Sequence, residues 1–169
     1  MTIRNSSKIK TIKMLEDGNC LFRSITTSLE SELMECLRYK NGKCKTHSLA
    51  SKENSLSSSL REFTTIRMEN DKEHYNDSIS YDDNFFSSIE NRIEKMKHPG
   101  EFAGNLELKI ISKMLKIKIN VFIPIYSKRT DLLSKYNLVA CYGGDGGDGY
   151  NQTVNLLLES EHYNVLVFS

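Results

Sequence analysis

Several features that mark particular protein classes are scarce or missing in this chain of 169 residues. It has no tryptophan, only two prolines, and four cysteines that form no CxxC pair. No apolar run reaches the roughly 18–20 residues of a membrane-spanning helix, and the N-terminus lacks the apolar segment of a secretory signal. Lys and Arg number 23 against 22 Asp and Glu, so there is no basic excess. These absences argue against transmembrane, disulfide-scaffold and dedicated nucleic-acid-binding proteins.

The composition that remains is that of an ordinary globular protein. Hydrophobic residues make up 38% of the chain and charged residues 27%. The length predicts a single domain over residues 1–169, with residues 1–10 as a polar, peripheral N-terminal segment. Without a secretory signal we expect free thiols and a cytoplasmic location. We also expect a monomer that binds neither nucleic acid nor membrane.

Apolar periodicity predicts helices in the first two-thirds of the chain and strands in the last third. The helices are expected to begin near Cys20, near Leu56, after a cap at Asp82 or Asp83, and at Asn105. The strands are expected at 11–14, 119–123 (closed by Pro124), 138–142, 154–158 and 163–168. Residues 40–55 are polar and predict a long loop. This order predicts an α+β fold, with helices packed on a small, largely antiparallel sheet.

The sharpest local pattern is the segment DGNCLFR, which places Cys20 after a tight turn and at the start of a helix. The unpaired N–H groups and the dipole of a helix N-terminus favour a thiolate and can bind an oxyanion. Gly18 permits the sharp turn. The pattern therefore predicts an activated cysteine nucleophile. It also fits an ordinary turn that precedes a helix with a buried structural cysteine.

A second pattern, EHYN, opens the last predicted strand. His162 and Asn164 are two residues apart, so they share one face of that strand. The amide could orient the imidazole while the other ring nitrogen meets a thiol. Cysteine, histidine and asparagine in this arrangement are typical of a cysteine hydrolase. The alternative for His162 is a turn histidine at a strand entrance.

The two motifs together, DGNCLFRS and HYNVLVF, resemble those of the ovarian-tumour (OTU) family of cysteine deubiquitinases. The segment LREFTTIRMENDKEHYN is similar to the second helix region of that family. PGEFAGNLELKIISKMLKIKINVF is similar to its glycine-containing loop, the following helix and the central strand. The resemblance covers residues 11–169. The segment DGYNQTVNLL and the following HYNVL also resemble viral OTU proteases of the nairovirus type.

The resemblance implies a papain-like cysteine protease fold of the OTU type and a role for each matching residue. Cys20 matches the nucleophile, His162 the general base and Asn164 the third member of the triad. Asp17 matches the aspartate whose loop shapes the oxyanion hole. The residues expected to bind substrate are Gly18, Asn19, Gly104 and Glu161. One departure is Phe102-Ala103, where the family usually has Trp-Gly.

The implied activity is hydrolysis of the isopeptide bond after the C-terminal glycine of ubiquitin, without cofactor or metal. The implied partners are ubiquitin, polyubiquitin and, as a further option, ubiquitin-like modifiers, in the host cytoplasm if the protein is viral. Acidic side chains should meet the basic tail of ubiquitin, and Glu101, Asp145 and Asp148 are candidates. The alternative is a catalytically weak ubiquitin-binding or scaffold module with the same fold.

The remaining patterns are less specific. Cys36, Cys44 and His47 have a spacing that zinc ligands can have, but no fourth ligand is evident. Cys36 and Cys141 are predicted as small core residues. The GGDGGDG segment at 143–149 lacks a following Gly-Lys-Ser/Thr, so it predicts a turn and not a P-loop.

Overall fold

In the computed structural model, residues 2–4, 9–31, 34, 47–76, 88–126, 133–144 and 149–168 are described. The helices are α1 (Cys20–Leu29), α2 (His47–Asn70), α3 (Ile89–Met96) and α4 (Asn105–Leu115). The strands are β1 (Thr2–Arg4), β2 (Ile9–Ile12), β3 (Ile117–Tyr126), β4 (Leu133–Tyr142), β5 (Gln152–Glu159) and β6 (His162–Phe168). The predicted helices-then-strands order is confirmed, and two short strands precede it.

The six strands form one sheet in the order β1-β4-β3-β5-β6-β2. Only the β3–β5 pair is parallel, and the other four pairs are antiparallel. The predicted α+β fold with a largely antiparallel sheet is therefore confirmed. Both strands near the N-terminus lie at sheet edges, and β2 pairs with β6, the strand that begins at His162.

Helix α1 fixes the position of Cys20 because it packs against α2, β5 and β6 at once. Leu21, Phe22 and Ile25 are fully buried along it. Each such side chain contributes about 1.5–3 kcal/mol relative to an exposed one. The hydroxyl of Ser24 donates to the Tyr163 carbonyl at 3.1 Å, which joins α1 directly to β6. The first turn of α1 is thus held against the strand that carries His162.

The prediction for residues 40–55 as a loop is wrong for its second half, since α2 begins at His47. Residues 40–46 lie outside the described part of the chain. The apolar residues of this helix do not all face the core, because Phe63 is 59% exposed and Ile66 is 42% exposed. The buried face is mainly polar, and its members are Glu53, Ser57, Leu60, Arg61, Thr64, Thr65 and Met68.

Internal hydrogen bonds explain how α2 buries polar side chains. The hydroxyls of Ser57, Thr64 and Thr65 donate to backbone carbonyls three or four residues earlier in the helix, at 2.7–3.0 Å. A buried hydroxyl with a partner avoids most of the penalty for leaving water. A prediction that assigns apolar residues to the buried face therefore fails to identify the buried face of α2.

Two predicted boundaries also differ from the structure. Helix α3 begins at Ile89 and is capped by Ser88, whose hydroxyl accepts from the Asn91 N–H at 3.2 Å. Asp82 and Asp83, the expected caps, lie outside the described residues. Strand β3 continues past Pro124 to Tyr126. It pairs with β5 only up to Phe122, so Pro124 has a neighbouring strand on one side only and its missing N–H costs no ladder bond there.

Candidate active site

The turn before Cys20 is built on a glycine that no other residue can replace without displacement. Gly18 has φ +76°, and a Cβ added to it would lie 2.0 Å from the Gly100 carbonyl oxygen. The turn therefore packs backbone against backbone on the segment that follows α3. Asp17 stabilises it from the other side, because its carboxylate accepts from the Asn19 N–H at 3.1 Å and from the Arg23 guanidinium at 2.6 Å.

The carboxylate of Asp17 is thus occupied in shaping the turn. Burial alone would raise the pKa of Asp17, but the hydrogen bonds from Arg23 and from the Asn19 N–H together lower it. Arg23 is itself buried, and it also donates to the Asn54 side chain of α2. Asp17 therefore stabilises the turn before Cys20, and its charged partner is Arg23.

Cys20 is the first residue of α1 and is only 2% exposed. The Tyr163 N–H lies 3.5 Å from its Sγ, so the thiol touches the backbone next to His162. Burial raises the pKa of the Cys20 thiol, and the backbone N–H groups of Tyr163 and Leu21 lower it by less. Burial therefore opposes the thiolate that the sequence pattern favours at Cys20.

His162 and Asn164 lie on one face of β6, as predicted. A tight turn precedes them, in which Ser160 and Glu161 have φ values of 50° and 64°. His162 is 9% exposed, and neither ring nitrogen has a hydrogen-bond partner among the described residues. An imidazole held away from water without a hydrogen-bond partner is unusual in a purely structural role.

The Asn164 side chain is fully buried and makes a different bond from the one predicted. Its Oδ1 accepts from the Met14 N–H at 3.0 Å, and its Nδ2 has no partner among the described residues. The expected hydrogen bond between His162 and Asn164 is thus not formed. Asn164 instead ties the segment between β2 and the cysteine turn to the strand that carries the histidine.

Arg61 is the central residue that the sequence analysis missed. The residue is 6% exposed, and its guanidinium donates to the Asn19 side chain at 2.8 Å and to the Gly18 carbonyl at 2.9 Å. It also donates to the Glu101 carbonyl at 2.7 Å and lies over the Phe22 ring at 4.7 Å. One side chain of α2 therefore connects the cysteine turn to the segment after α3.

A second buried arginine, Arg92 of α3, holds the far end of the same segment. It donates to both carboxylate oxygens of Glu107 at 2.9 and 2.8 Å and to the Phe102 carbonyl at 2.9 Å. Glu107 in turn accepts from the Gly104 N–H at 2.7 Å. The loop that resembles the glycine-containing loop of OTU proteases is therefore fixed by an ion pair, with Phe102 55% exposed.

This loop lines a cavity of about 600 Å³ together with residues of β5, β6 and the turn between them. Gly104 and Glu161, two of the predicted substrate-binding residues, line it together with Glu101 and Tyr163. The other two, Gly18 and Asn19, lie in the cysteine turn outside this lining. Asp145 and Asp148 lie outside the described residues.

The weaker candidates fare differently. Cys141 is exposed on β4, so its prediction as a core residue is wrong. His47 begins α2, whereas Cys36 and Cys44 fall outside the described part of the chain. Within the described ranges, no group of three or more potential ligands could hold a metal ion. No described helix is both long and apolar enough to span a membrane.

Comparison with known proteins identifies the family of the chain. The profile of the OTU-like cysteine protease family matches residues 16–163, so the chain belongs to that family. A search of curated proteins finds no match. Among solved structures the chain is similar to the following three.

The OTUD1 OTU domain is 18% identical, with a TM-score of 0.63, over 94% of this chain and 85% of that one. The viral OTU protease of Dera Ghazi Khan virus is 16% identical, with a TM-score of 0.66, over 100% and 86%. The Hazara virus OTU bound to ubiquitin is 14% identical, with a TM-score of 0.55, over 95% and 82%. At such identities the likeness shows a shared fold, and the fold is the OTU fold.

Proposed function

We propose that this protein is a deubiquitinase that hydrolyses the isopeptide bond after the C-terminal glycine of ubiquitin. Cys20 is the proposed nucleophile, His162 the general base and Asn164 the third member of the triad. The observation that carries the proposal is the 3.5 Å contact between the Tyr163 N–H and the Cys20 Sγ, which brings the thiol to the residue next to His162. Ubiquitin is proposed as the partner because the related Hazara virus OTU is bound to it.

The raised pKa of the thiol favours one of two possible routes to the nucleophile. A thiolate–imidazolium pair that is already present in the free enzyme requires a thiol with a low pKa. Burial raises the pKa of Cys20 and so opposes such a pair. In the proposed route His162 therefore takes the proton as the sulfur attacks the glycine carbonyl. N–H groups at the start of α1 stabilise the oxyanion, in keeping with the absence of acidic side chains in the first turn.

The later steps release both products and restore the free enzyme. The tetrahedral intermediate collapses, the C–N bond breaks, and the imidazolium of His162 gives its proton to the leaving lysine amine. His162 then deprotonates a water molecule that attacks the thioester. The C–S bond breaks, the ubiquitin carboxylate leaves and the Cys20 thiol is restored.

The cavity between the glycine loop and the β5–β6 turn is the proposed channel for the ubiquitin tail. The tail is basic before its two C-terminal glycines, and Glu101 and Glu161 supply carboxylates at the cavity wall. Arg92 and Lys95 also line the cavity, and Arg92 lies 3.7 Å from the Glu101 carboxylate, so Glu161 is the carboxylate proposed to meet the tail. Gly104 keeps one wall free of side chain, since nothing lies within 4 Å of a Cβ built there. Gly18 and Asn19 are proposed to border the approach to the thiol.

A ubiquitin whose C-terminus carries a thiol-reactive group tests the proposal. We expect a covalent adduct on Cys20, located by mass spectrometry, with the wild-type chain and with Cys141→Ala. Cys20→Ala should form no adduct and should cleave no diubiquitin while it keeps the wild-type melting temperature. Diubiquitin cleavage by a folded Cys20→Ala variant would rule out the assignment.

A ubiquitin-binding module without catalysis is the second candidate. It is favoured by the high pKa of the buried thiol and by the missing hydrogen bonds around His162. The same probe separates the two candidates. A reversible complex without an adduct would identify a binding module, whereas an adduct together with diubiquitin cleavage identifies an enzyme.

A further inference from the structure

The residue before Cys20 has an unexpected hydrogen-bond pattern. Asn19 occupies the N-cap position of α1, and asparagine is among the best residues for capping helix N–H groups with its side chain. Yet its side chain makes no capping hydrogen bond, and its backbone, at φ −94° and ψ 4°, is not in the extended region that capping residues usually adopt. Its Oδ1 instead accepts from the Arg61 Nε at 2.8 Å.

The bond to Arg61 leaves the first N–H groups of α1 without a capping oxygen, and the Leu21 N–H lies against the Cys20 Sγ. A capping side chain would accept from the N–H of Leu21 or Phe22, which are the second and third residues of the helix. These are among the groups that point out of the helix end beside the Cys20 Sγ. A capped end would therefore compete with an oxyanion that forms on a substrate bound to Cys20.

Arg61 also fixes the peptide unit that precedes Asn19. It donates to the Gly18 carbonyl at 2.9 Å, while Asp17 accepts from the Asn19 N–H of the same peptide at 3.1 Å. Both polar groups of that peptide unit thus have partners. Arg61 lies on α2, 43 positions away in the sequence, and it fixes the plane of this peptide unit and with it the approach to Cys20.

We propose that Arg61 is a positioning residue that keeps Asn19 from capping α1 and so preserves the oxyanion site of the proposed hydrolase. It touches neither the reacting atoms nor the thiol, and acts through Asn19 and Gly18. This inference rests on the proposed function for its kinetic consequence, but the arrangement of Arg61, Asn19 and the helix end can be tested without ubiquitin.

Substitutions at Asn19 separate this role from a structural one. Serine is a good N-cap but is too short to replace the amide at Arg61, whereas alanine cannot cap at all. Asn19→Ser should therefore be the more stable of the two variants and the slower one. We expect its kcat on a ubiquitin–fluorophore conjugate to be about tenfold below that of Asn19→Ala, with similar KM, because a lost oxyanion donor costs about 10²–10³ in kcat at most. An equal or higher kcat for Asn19→Ser would overturn the proposal.

A double-variant cycle tests the arginine itself. Arg61→Lys keeps the charge but loses the fork that holds Asn19 and Gly18 together. We expect kcat to fall about 10–100-fold, and we expect Asn19→Ala, added to Arg61→Lys, to raise kcat at least about threefold. The control is Arg92→Lys, which should show only multiplicative effects with Asn19→Ala. Multiplicative effects for Arg61 as well would assign it a purely structural role.

A measurement without ubiquitin distinguishes failure of this inference from failure of the proposed function. The ratio of Cys20 alkylation by iodoacetate to that by iodoacetamide reports how well the helix end receives an anion. We expect this ratio to be lower in Asn19→Ser than in Asn19→Ala, whether or not the protein cleaves ubiquitin. Equal ratios would overturn the inference, whereas a wild-type chain without turnover but with the expected ratios would overturn only the proposed function.

Discussion

At the scale of single residues, Cys20 is subject to two opposed influences. The helix N-terminus favours the thiolate form of Cys20, whereas burial of the side chain favours the thiol form. Burial dominates, so the pKa of Cys20 is raised. A nucleophile stored as a thiol is protected from oxidation and alkylation, since both reactions need the thiolate.

Burial of Cys20 and exposure of Cys141 predict which of these two cysteines reacts first with an alkylating agent. At pH 7 we expect iodoacetamide to label the exposed Cys141 well before Cys20, which is 2% exposed. Because the thiolate fraction of Cys20 grows as pH rises towards its raised pKa, its labelling rate should increase about tenfold per pH unit and still rise at pH 9. Peptide mass spectrometry after timed labelling measures both rates.

Denatured protein serves as the control, in which the two cysteines should react alike. Faster labelling of Cys20 than of Cys141 at pH 7, with a rate that no longer rises above pH 8, would show that the free chain holds an activated thiolate after all.

Asn164 has a structural bond in addition to its proposed catalytic role, and substitutions can separate the two. Asn164→Ala leaves the buried Met14 N–H without an acceptor, which costs about 1–3 kcal/mol and should lower the melting temperature by roughly 2–10 °C. Asn164→Asp keeps an acceptor oxygen and should melt closer to the wild type.

The kinetic expectation for the same residue is that Asn164→Ala loses less diubiquitin cleavage than His162→Ala, since an orienting amide contributes less than the group that moves the proton. Steady-state rates for the three variants decide this. Wild-type activity of Asn164→Ala would contradict membership of a triad, whatever its melting temperature.

At the scale of elements, how far the sequence predicts the structure depends on how local each signal is. Helix α1 and strand β6 were predicted because a turn followed by apolar spacing, and a short apolar strand, are contained within a few residues. Cys20, His162 and Asn164 were proposed as site residues for the same reason. Helix α2 was misplaced because its buried face is polar, and its hydrogen bonds appear only once the fold is known.

The buried arginines could not be found from local pattern at all. The hydrogen-bond partners of Arg61 lie 35 to 43 residues away in the sequence, so no spacing rule relates them. A lone arginine among helix residues usually indicates a solvated face. Only the combination of Leu60 and Thr64 on the same buried face as Arg61 would have hinted at its burial.

The contact between the cysteine turn and the segment after α3 gives a test at this scale. Gly18→Ala should destabilise the protein by about 2–5 kcal/mol, because a side chain there meets the Gly100 backbone and the positive φ is strained. The melting temperature should fall by roughly 5–15 °C. Gly104→Ala is the control for stability, since its Cβ would meet nothing within 4 Å, and it should melt within about 2 °C of the wild type. Equal melting temperatures for the two variants would contradict the close packing of the turn.

At the scale of the whole molecule, the sheet order brings the two ends of the sequence together. Strand β2 pairs with β6, so the residues that lead into the cysteine turn lie beside the strand of His162. The Asn164–Met14 hydrogen bond spans 150 positions of sequence. Such long-range pairing explains why neither motif alone defines a site and why both are needed to recognise one.

Removal of metal ions tests whether the proposed reaction depends on the thiol and N–H groups alone. The proposed reaction uses a side-chain thiol as nucleophile and N–H groups for the oxyanion, so no step requires a metal-bound water. Dialysis against a strong chelator should therefore leave diubiquitin cleavage within about twofold of the untreated rate, and added zinc should not increase it. Zinc that binds the catalytic thiol would instead inhibit.

The competing hypothesis is a site that includes Cys44 and His47, which occur in the sequence with a spacing that zinc ligands can have. It makes the opposite prediction, a loss of cleavage on dialysis that zinc restores. Cys44→Ser and His47→Ala variants assign such a loss: under this hypothesis both would lose activity without dialysis, whereas under the proposed mechanism both keep it. His47 is the first residue of α2, the helix that carries Arg61. Under the competing hypothesis, removal of the metal would therefore affect the cysteine turn through this helix.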